Sequence, residues 1–274
     1  MALPSQTVNS LRGVAKSGMV YERRGSGRPL ILIHGWCLNR RMWDYAEVDL
    51  LVSGDVITVD LPGFGLSSDL AGPYSLVRYG NEIEDLIAEL QLDDVVLIGF
   101  AFGAAVCLEV GARPNTGVKK IISVGIPSAE YSPYSKMPRA MLRDWPDFAR
   151  RSAAALFHSD QSEATRSWLE RMFSATPLPV ALDVLALLAN YYPTKLVSAV
   201  KVETLFIHAE RDSVAPPKIG EECIRQAPHF TLKTIPDCGH LIVLDNKSAF
   251  HAAVRDYLAV GSSDHLPENQ QKAR

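Results

Sequence analysis

Short apolar runs and amphipathic segments take turns along the first half of the chain. MVYERR, PLILIHG, VITVDLP, VVLIGF and KKIISVGI are short and rich in β-branched residues, a composition that predicts strands. Between them, RMWDYAEVDLLVS and YSLVRYGNEIEDLIAELQL carry apolar residues at helical spacing, with Ile83, Leu86, Ile87 and Leu90 on one face. Strands alternating with helices predict an α/β fold built on a mostly parallel sheet. From about residue 128 to 200 the strand signal gives way to helical and aromatic text, PRAMLRDWPDFARRSAAALF, SEATRSWLERMF and PVALDVLALLANYY. The sheet pattern then resumes with VETLFIHAERD and HFTLKTIPDCGH, each followed by a helix pattern. The expected organisation is a core of residues 1–127 and 201–260, a helical cap inserted at 128–200, and a flexible polar tail at 261–274.

Bulk composition narrows the function classes. The chain has 274 residues, 47% hydrophobic and 22% charged, enough for one large α/β domain and unlike a disordered or fibrous sequence. A formal net charge of -3 supplies no basic field for sequence-independent phosphate binding, so no nucleic-acid partner is expected. The four cysteines, Cys37, Cys107, Cys223 and Cys238, are scattered without metal-ligand spacing. They read as reduced thiols of a cytoplasmic protein, with no metal site expected. The opening residues lack the apolar stretch of a secretory signal. The longest apolar run, 95–108, is shorter than the roughly 20 residues of a membrane span, and no membrane partner is expected.

Four short segments carry candidate chemistry. In VVLIGFAFGAA a strand runs into a helix through Gly99, Ala101 and Gly103, the G-x-Nuc-x-G order of a nucleophile elbow, where glycines let strand and helix approach closely. In LILIHGW the loop after an apolar strand presents the Trp36 N–H; with that of Phe102 it makes a candidate oxyanion hole. Asp212 follows TLFIHA, and His240 follows the next β-run on a glycine-bearing loop. Each segment alone has a bland reading, as a tight turn, a cap or a structural histidine. Position 101, then Asp212, then His240, each just past a strand, is the chain order of a Ser-Asp-His triad.

On these residues the chain resembles the α/β-hydrolase superfamily from about Met19 to Val260. HGWCLN and VDLPGFGLS resemble most the carboxylesterase branch that includes pimeloyl-carrier-protein methyl ester esterases. The resemblance implies an eight-stranded, mostly parallel sheet with flanking helices and an inserted cap, a cofactor-free triad, and a small ester or lactone substrate; the aromatic residues of the cap segment favour a substrate with a hydrophobic acyl or aromatic group. It also implies that Asp60, Pro62, Gly63 and Gly65 shape a turn and do no chemistry. The departure is Ala101, since a methyl group cannot attack a carbonyl. The favoured account is a serine deliberately exchanged for alanine, leaving a chain that binds substrate and scarcely turns it over. Aspartate at 101 would imply dehalogenase or epoxide hydrolase chemistry, but those relatives carry proline soon after the His-Gly pair, where this chain has HGWC. Carbon-carbon bond hydrolases also use serine, but the glycine-rich loop of that branch is missing after His34. The alternatives are a ligand-binding protein on a hydrolase scaffold and a cofactor-free His/Asp catalyst, an oxygenase or lyase.

Two further residues compete for roles, Glu130 as the triad acid and Cys37 as a thiol beside the oxyanion loop; Cys37 reads as packing. Tyr131, Trp145 and Leu241 are the candidate substrate-binding residues. Arg139, Arg143, Arg150 and Arg151 form a cationic streak along the cap. It reads as a solvated helix face, with an acidic substrate or carrier protein as the alternative.

Overall fold

Each of the seven apolar runs forms a strand in the computed structural model, which describes residues 10–259. The tail expected at 261–274 lies outside the described residues. The runs become β2 (Val20–Arg24), β3 (Pro29–Ile33), β4 (Asp55–Asp60), β5 (Val95–Phe100), β6 (Val118–Val124), β7 (Glu203–Ala209) and β8 (Thr231–Ile235). They are preceded by β1 (Leu11–Val14), which pairs only with β2 and is mostly exposed. An edge strand with no buried face leaves no apolar run to betray it. Among the described residues these strands make one sheet in the order β1-β2-β4-β3-β5-β6-β7-β8. Only β2 runs against its neighbours.

The crossover helices are α1 (Asp44–Leu50), α2 (Leu76–Glu89) and α3 (Phe102–Gly111). On α2 the predicted face is the buried one, with Ile83 and Leu86 fully covered and Ile87 nearly so. Burying each such side chain stabilises the fold by roughly 1.5–3 kcal/mol. Ser75 starts that helix by accepting a hydrogen bond from Arg78 N at 3.1 Å, the usual service of an N-cap hydroxyl. Helix α3 is buried almost all round, because it packs between sheet and outer elements.

Between β6 and β7 lie α4 (Met137–Arg143), α5 (Trp145–Ala154), α6 (Glu163–Ser174) and α7 (Leu178–Leu188). The sequence reads as one long helix across α4 and α5, but the chain breaks at Asp144, in extended backbone at φ -159° and ψ 91°. Pro146 cannot donate to a preceding turn and clashes with it, so the helix restarts. Asp144 caps the new start by accepting from Asp147 N at 3.0 Å. After β7 come α8 (Lys218–Gln226), α9 (Ile242–Asp245) and α10 (Lys247–Ala259).

Parallel strands in register bring their carboxyl ends to one edge. The ladder continues past the strand ends, with Ala101 N on Val124 O and Gly125 N on Ile207 O, both at 2.8 Å. The segments after β3, β5, β7 and β8, which hold Trp36, Ala101, Asp212 and His240, therefore emerge side by side.

Candidate active site

Ala101 sits between β5 and α3 at φ 48° and ψ -109°, a conformation that costs a residue with a Cβ about 1–3 kcal/mol. The turn is tight enough to demand its glycines. A Cβ on Gly99 would lie 2.4 Å from Gly103 O, and one on Gly103 would lie 2.3 Å from Ile33 O. The strain presents the residue at position 101 to a cavity, as an elbow does, although the side chain there is a methyl.

His240 Nδ1 lies 2.7 Å from Asp212 Oδ2. The other carboxylate oxygen of Asp212 accepts from Val214 N at 2.8 Å and Ala215 N at 2.7 Å. Burial pushes the Asp212 carboxyl up, but the charge and hydrogen bond of His240 and the two backbone N–H groups outweigh it and hold the group below its ordinary value. The anion in turn keeps the proton of neutral His240 on Nδ1, leaving Nε2 free to accept one. Glu130 is exposed and forms no hydrogen bond or ion pair with His240; the carboxylate at the imidazole is that of Asp212.

Gly125, at the end of β6 with φ +58°, makes room for this pair: a Cβ there would stand 3.0 Å from His240 Cε1. The sequence signal for it was only a glycine closing an apolar run.

Ala101 and His240 border a cavity of about 130 Å³ with Trp36, Phe102, Met137, Phe173 and Leu188 among its walls. Phe102 opens α3, so its N–H has no intrahelical acceptor; neither it nor Trp36 N donates to another described residue. The indole N–H of Trp36 donates to Ala181 O at 3.0 Å and ties the loop after β3 to α7. The few polar side chains in the lining include Tyr134 and Ser152. Burial pushes the Tyr134 phenol up to about 12, opposed by a hydrogen bond with Ser132 and helped by the charge of Asp212, so it stays a neutral hydroxyl.

None of the three candidate substrate-binding residues is among the walls of this cavity. Tyr131 donates to the Glu222 carboxylate instead of facing the cavity. Trp145 packs on Phe148 and Phe173 with ring centroids 6.0 Å away in each case, one layer behind the wall. Leu241 turns its side chain into the core and spends its N–H on Leu156 O at 2.9 Å. Sequence ranks the aromatic cap residues by type, but which of them meets the cavity depends on how the helices roll. The cationic streak is also weaker than it reads, because Arg150 and Arg151 share Asp147 at 2.6 and 2.9 Å. Cys37 is fully buried, and burial pushes its thiol well above the ordinary range against a hydrogen bond from Thr176, so it packs and is no nucleophile.

His34 and His208 brace the neighbouring loops. Leu61 N donates to His34 Nε2 at 3.0 Å; the ring therefore carries its proton on Nδ1, which donates to Gly35 O at 2.8 Å. His208 Nδ1 donates to Ala215 O at 3.0 Å. Burial lowers both histidines, against the opposing pull of nearby Asp60 for His34 and of the Ala215 carbonyl for His208. A histidine lowered in the fold takes up its proton first in the unfolded chain. Its stabilisation is therefore complete above its ordinary value of 6.5 and is lost as pH falls below it. Unfolding free energies from denaturant titration are expected to drop from pH 7 to pH 5, by up to about 1.4 kcal/mol per pH unit for each such histidine, with the midpoints falling accordingly. Equal midpoints at pH 7 and 5 would show that these rings are not held neutral.

A strained strand-to-helix elbow, an amide-bearing loop after β3 and a carboxylate-imidazole pair at the carboxyl edge of a mostly parallel sheet form the architecture of the α/β-hydrolase class. A model of the alpha/beta hydrolase family matches residues 30–253, and the chain belongs to that family. It is similar to the AB hydrolase superfamily protein YisY of Bacillus subtilis (strain 168), with 26% identity over 248 residues covering 85% of this chain and 92% of that protein. It is also similar to the pimeloyl-[acyl-carrier protein] methyl ester esterase of Nitrosospira multiformis, with 27% identity over 262 residues covering 85% of this chain and 95% of that protein. Among solved structures, the esterase EaEST from Exiguobacterium antarcticum has the same fold. Its TM-score is 0.84 at 22% identity, covering 91% of this chain and 99% of that one.

Proposed function

We propose that this chain carries the binding and proton-transfer machinery of a serine-type carboxylic ester or lactone hydrolase, with alanine in place of the nucleophile. Residues 128–200 serve as the cap, Asp212 and His240 as the acid and base, and the Trp36 and Phe102 amides as the oxyanion donors. With serine at 101, His240 would take the hydroxyl proton as the oxygen attacks the acyl carbon and pass it to the alcohol that departs as the ester C–O bond breaks; the neutral imidazole would then take a proton from the water that attacks the acyl-enzyme and return it to the serine as the acid leaves. With Ala101 that sequence has no first step, so the chain as it stands binds substrate and turns it over poorly. The observation that carries this reading is the hydrogen-bonded His240–Asp212 pair opening with strained Ala101 onto one apolar cavity. The esterase named among the relatives supports ester chemistry. Four buried, unbridged cysteines support a reducing compartment such as the cytoplasm.

The cavity sets the substrate size. About 130 Å³ is near the roughly 150 Å³ of an apolar cavity that accepts one benzene ring. It holds a short acyl chain or a single ring, with few polar groups to recognise a charge. In an Ala101→Ser protein, aryl acetates and butyrates are expected to give at least about tenfold higher kcat/KM than decanoates, since each ill-fitting methylene is worth about 1 kcal/mol or more. A flat or rising profile with chain length would show that the acyl group binds elsewhere.

A further inference from the structure

We infer that Asp245 is a positioning residue which fastens the His240 loop to the cap, so that the imidazole is aligned only while the cap sits on the sheet. Asp245 closes α9, five positions after His240, and lies outside the cavity lining. Its Oδ2 accepts from Gly239 N at 2.8 Å, the residue just before His240, and from His158 N at 2.7 Å in the turn after α5. Its Oδ1 accepts from Ser159 Oγ at 2.6 Å and Gln161 Nε2 at 3.0 Å. One carboxylate thus joins a backbone N–H of the His loop to three donors of the cap. Such charge-assisted bonds are about twice as strong as neutral ones.

The two loops are also in direct backbone contact. Leu241 N donates to Leu156 O at 2.9 Å. A Cβ on Gly239 would stand 2.7 Å from His158 N and 3.0 Å from Phe157 C, so only glycine lets the chains approach. Immediately before this contact, Ser152, Ala155 and Leu156 line the cavity. The wall that meets substrate and the loop that holds the base therefore move as one hydrogen-bonded unit. Without the carboxylate, His240 keeps its partner Asp212 but loses the anchor of its own loop, and a shift of about 1 Å at a catalytic group costs on the order of 100-fold in rate.

The test has two arms. The first needs no turnover: in the Ala101 chain, Asp245→Asn is expected to shift or broaden the His240 imidazole NMR resonances, because the amide keeps its one oxygen for His158 N and Gly239 N without the negative charge that strengthens those bonds, and turns a donor toward Ser159 Oγ and Gln161 Nε2. The second arm rests on the hydrolase reading and uses the Ala101→Ser background. There Asp245→Asn is expected to lower kcat about 10- to 100-fold, Asp245→Glu to recover part of it, and Asp245→Asn to cost nothing further once His240 is alanine. An inactive Ala101→Ser protein would sink the hydrolase reading while the NMR arm still decides the clasp. Unmoved His240 resonances, or an equal rate loss with and without His240, would overturn the positioning role. Should Asp245→Asn fail to fold, the joint exchange Ser159→Ala and Gln161→Ala touches only the cap side; it is expected to lower kcat several-fold, and an unchanged kcat would overturn the inference.

Discussion

Exchange of Ala101 for serine is expected to raise kcat toward short aryl esters by about 10⁴-fold or more over the chain as it stands, since removing the nucleophile from an otherwise complete triad costs up to about 10⁶. The backbone is already prepared for it. Position 101 holds φ 48° with a Cβ in place, so serine adds a single oxygen on the side that borders the cavity. Stability is expected to change by less than about 0.5 kcal/mol, which separates gain of function from any effect on folding. Steady-state hydrolysis and covalent labelling by a serine-directed phosphonate measure it. Activity and labelling confined to the serine protein would establish the hydrolase. Silence in both proteins would favour a ligand-binding protein on this scaffold. Equal activity in both would favour a His/Asp catalyst that never used position 101.

In the restored enzyme, Asp212→Asn is expected to lower kcat by about 10⁴ while substrate binding is retained. The reason lies in the partners of the carboxylate. Val214 N and Ala215 N both donate to Asp212 Oδ1, so an asparagine keeps its one oxygen there and turns its amide toward His240. A donor facing Nδ1 forces the imidazole proton onto Nε2, and a protonated Nε2 cannot take the serine proton. Kinetics across pH together with binding of an unreactive substrate analogue check this. A loss below tenfold would mean that another group orients His240. His240→Ala in the Ala101 chain is the complementary control: abolition of any activity there would revive the His/Asp reading.

The candidate site was legible in sequence to the extent that its chemistry is local. Gly99 and Gly103 flank position 101 because the elbow has no room for a Cβ, and that demand is written into five consecutive residues. Asp212 and His240 each follow a β-run, so their arrival at the same sheet edge follows from a parallel sheet. Choosing Asp212 over Glu130 needed coordinates, because both follow apolar strands and only one reaches the imidazole. Trp145, on α5, stands behind the cavity lining for a related reason. Helical periodicity tells which face of a cap helix is apolar, but core and cavity wall are both apolar, and the helix orientation that separates them is set by packing among Trp36, Phe148 and Phe173.

By itself, then, the sequence determined the strand and helix order apart from β1 and the break between α4 and α5, the elbow, the chain order of position 101, Asp212 and His240, and the methyl side chain at the elbow. All of these rest on covalent neighbours and on periodicities of two or 3.6 residues. Only the tertiary structure decided that Asp212 and His240, 28 positions apart, meet at 2.7 Å, that Ala101 and His240 border a cavity of about 130 Å³, and that Asp245 accepts from both Gly239 N and the 158–161 segment. These depend on side chains distant in sequence filling one shared space, and no local pattern encodes which of many apolar or acidic residues will fill it.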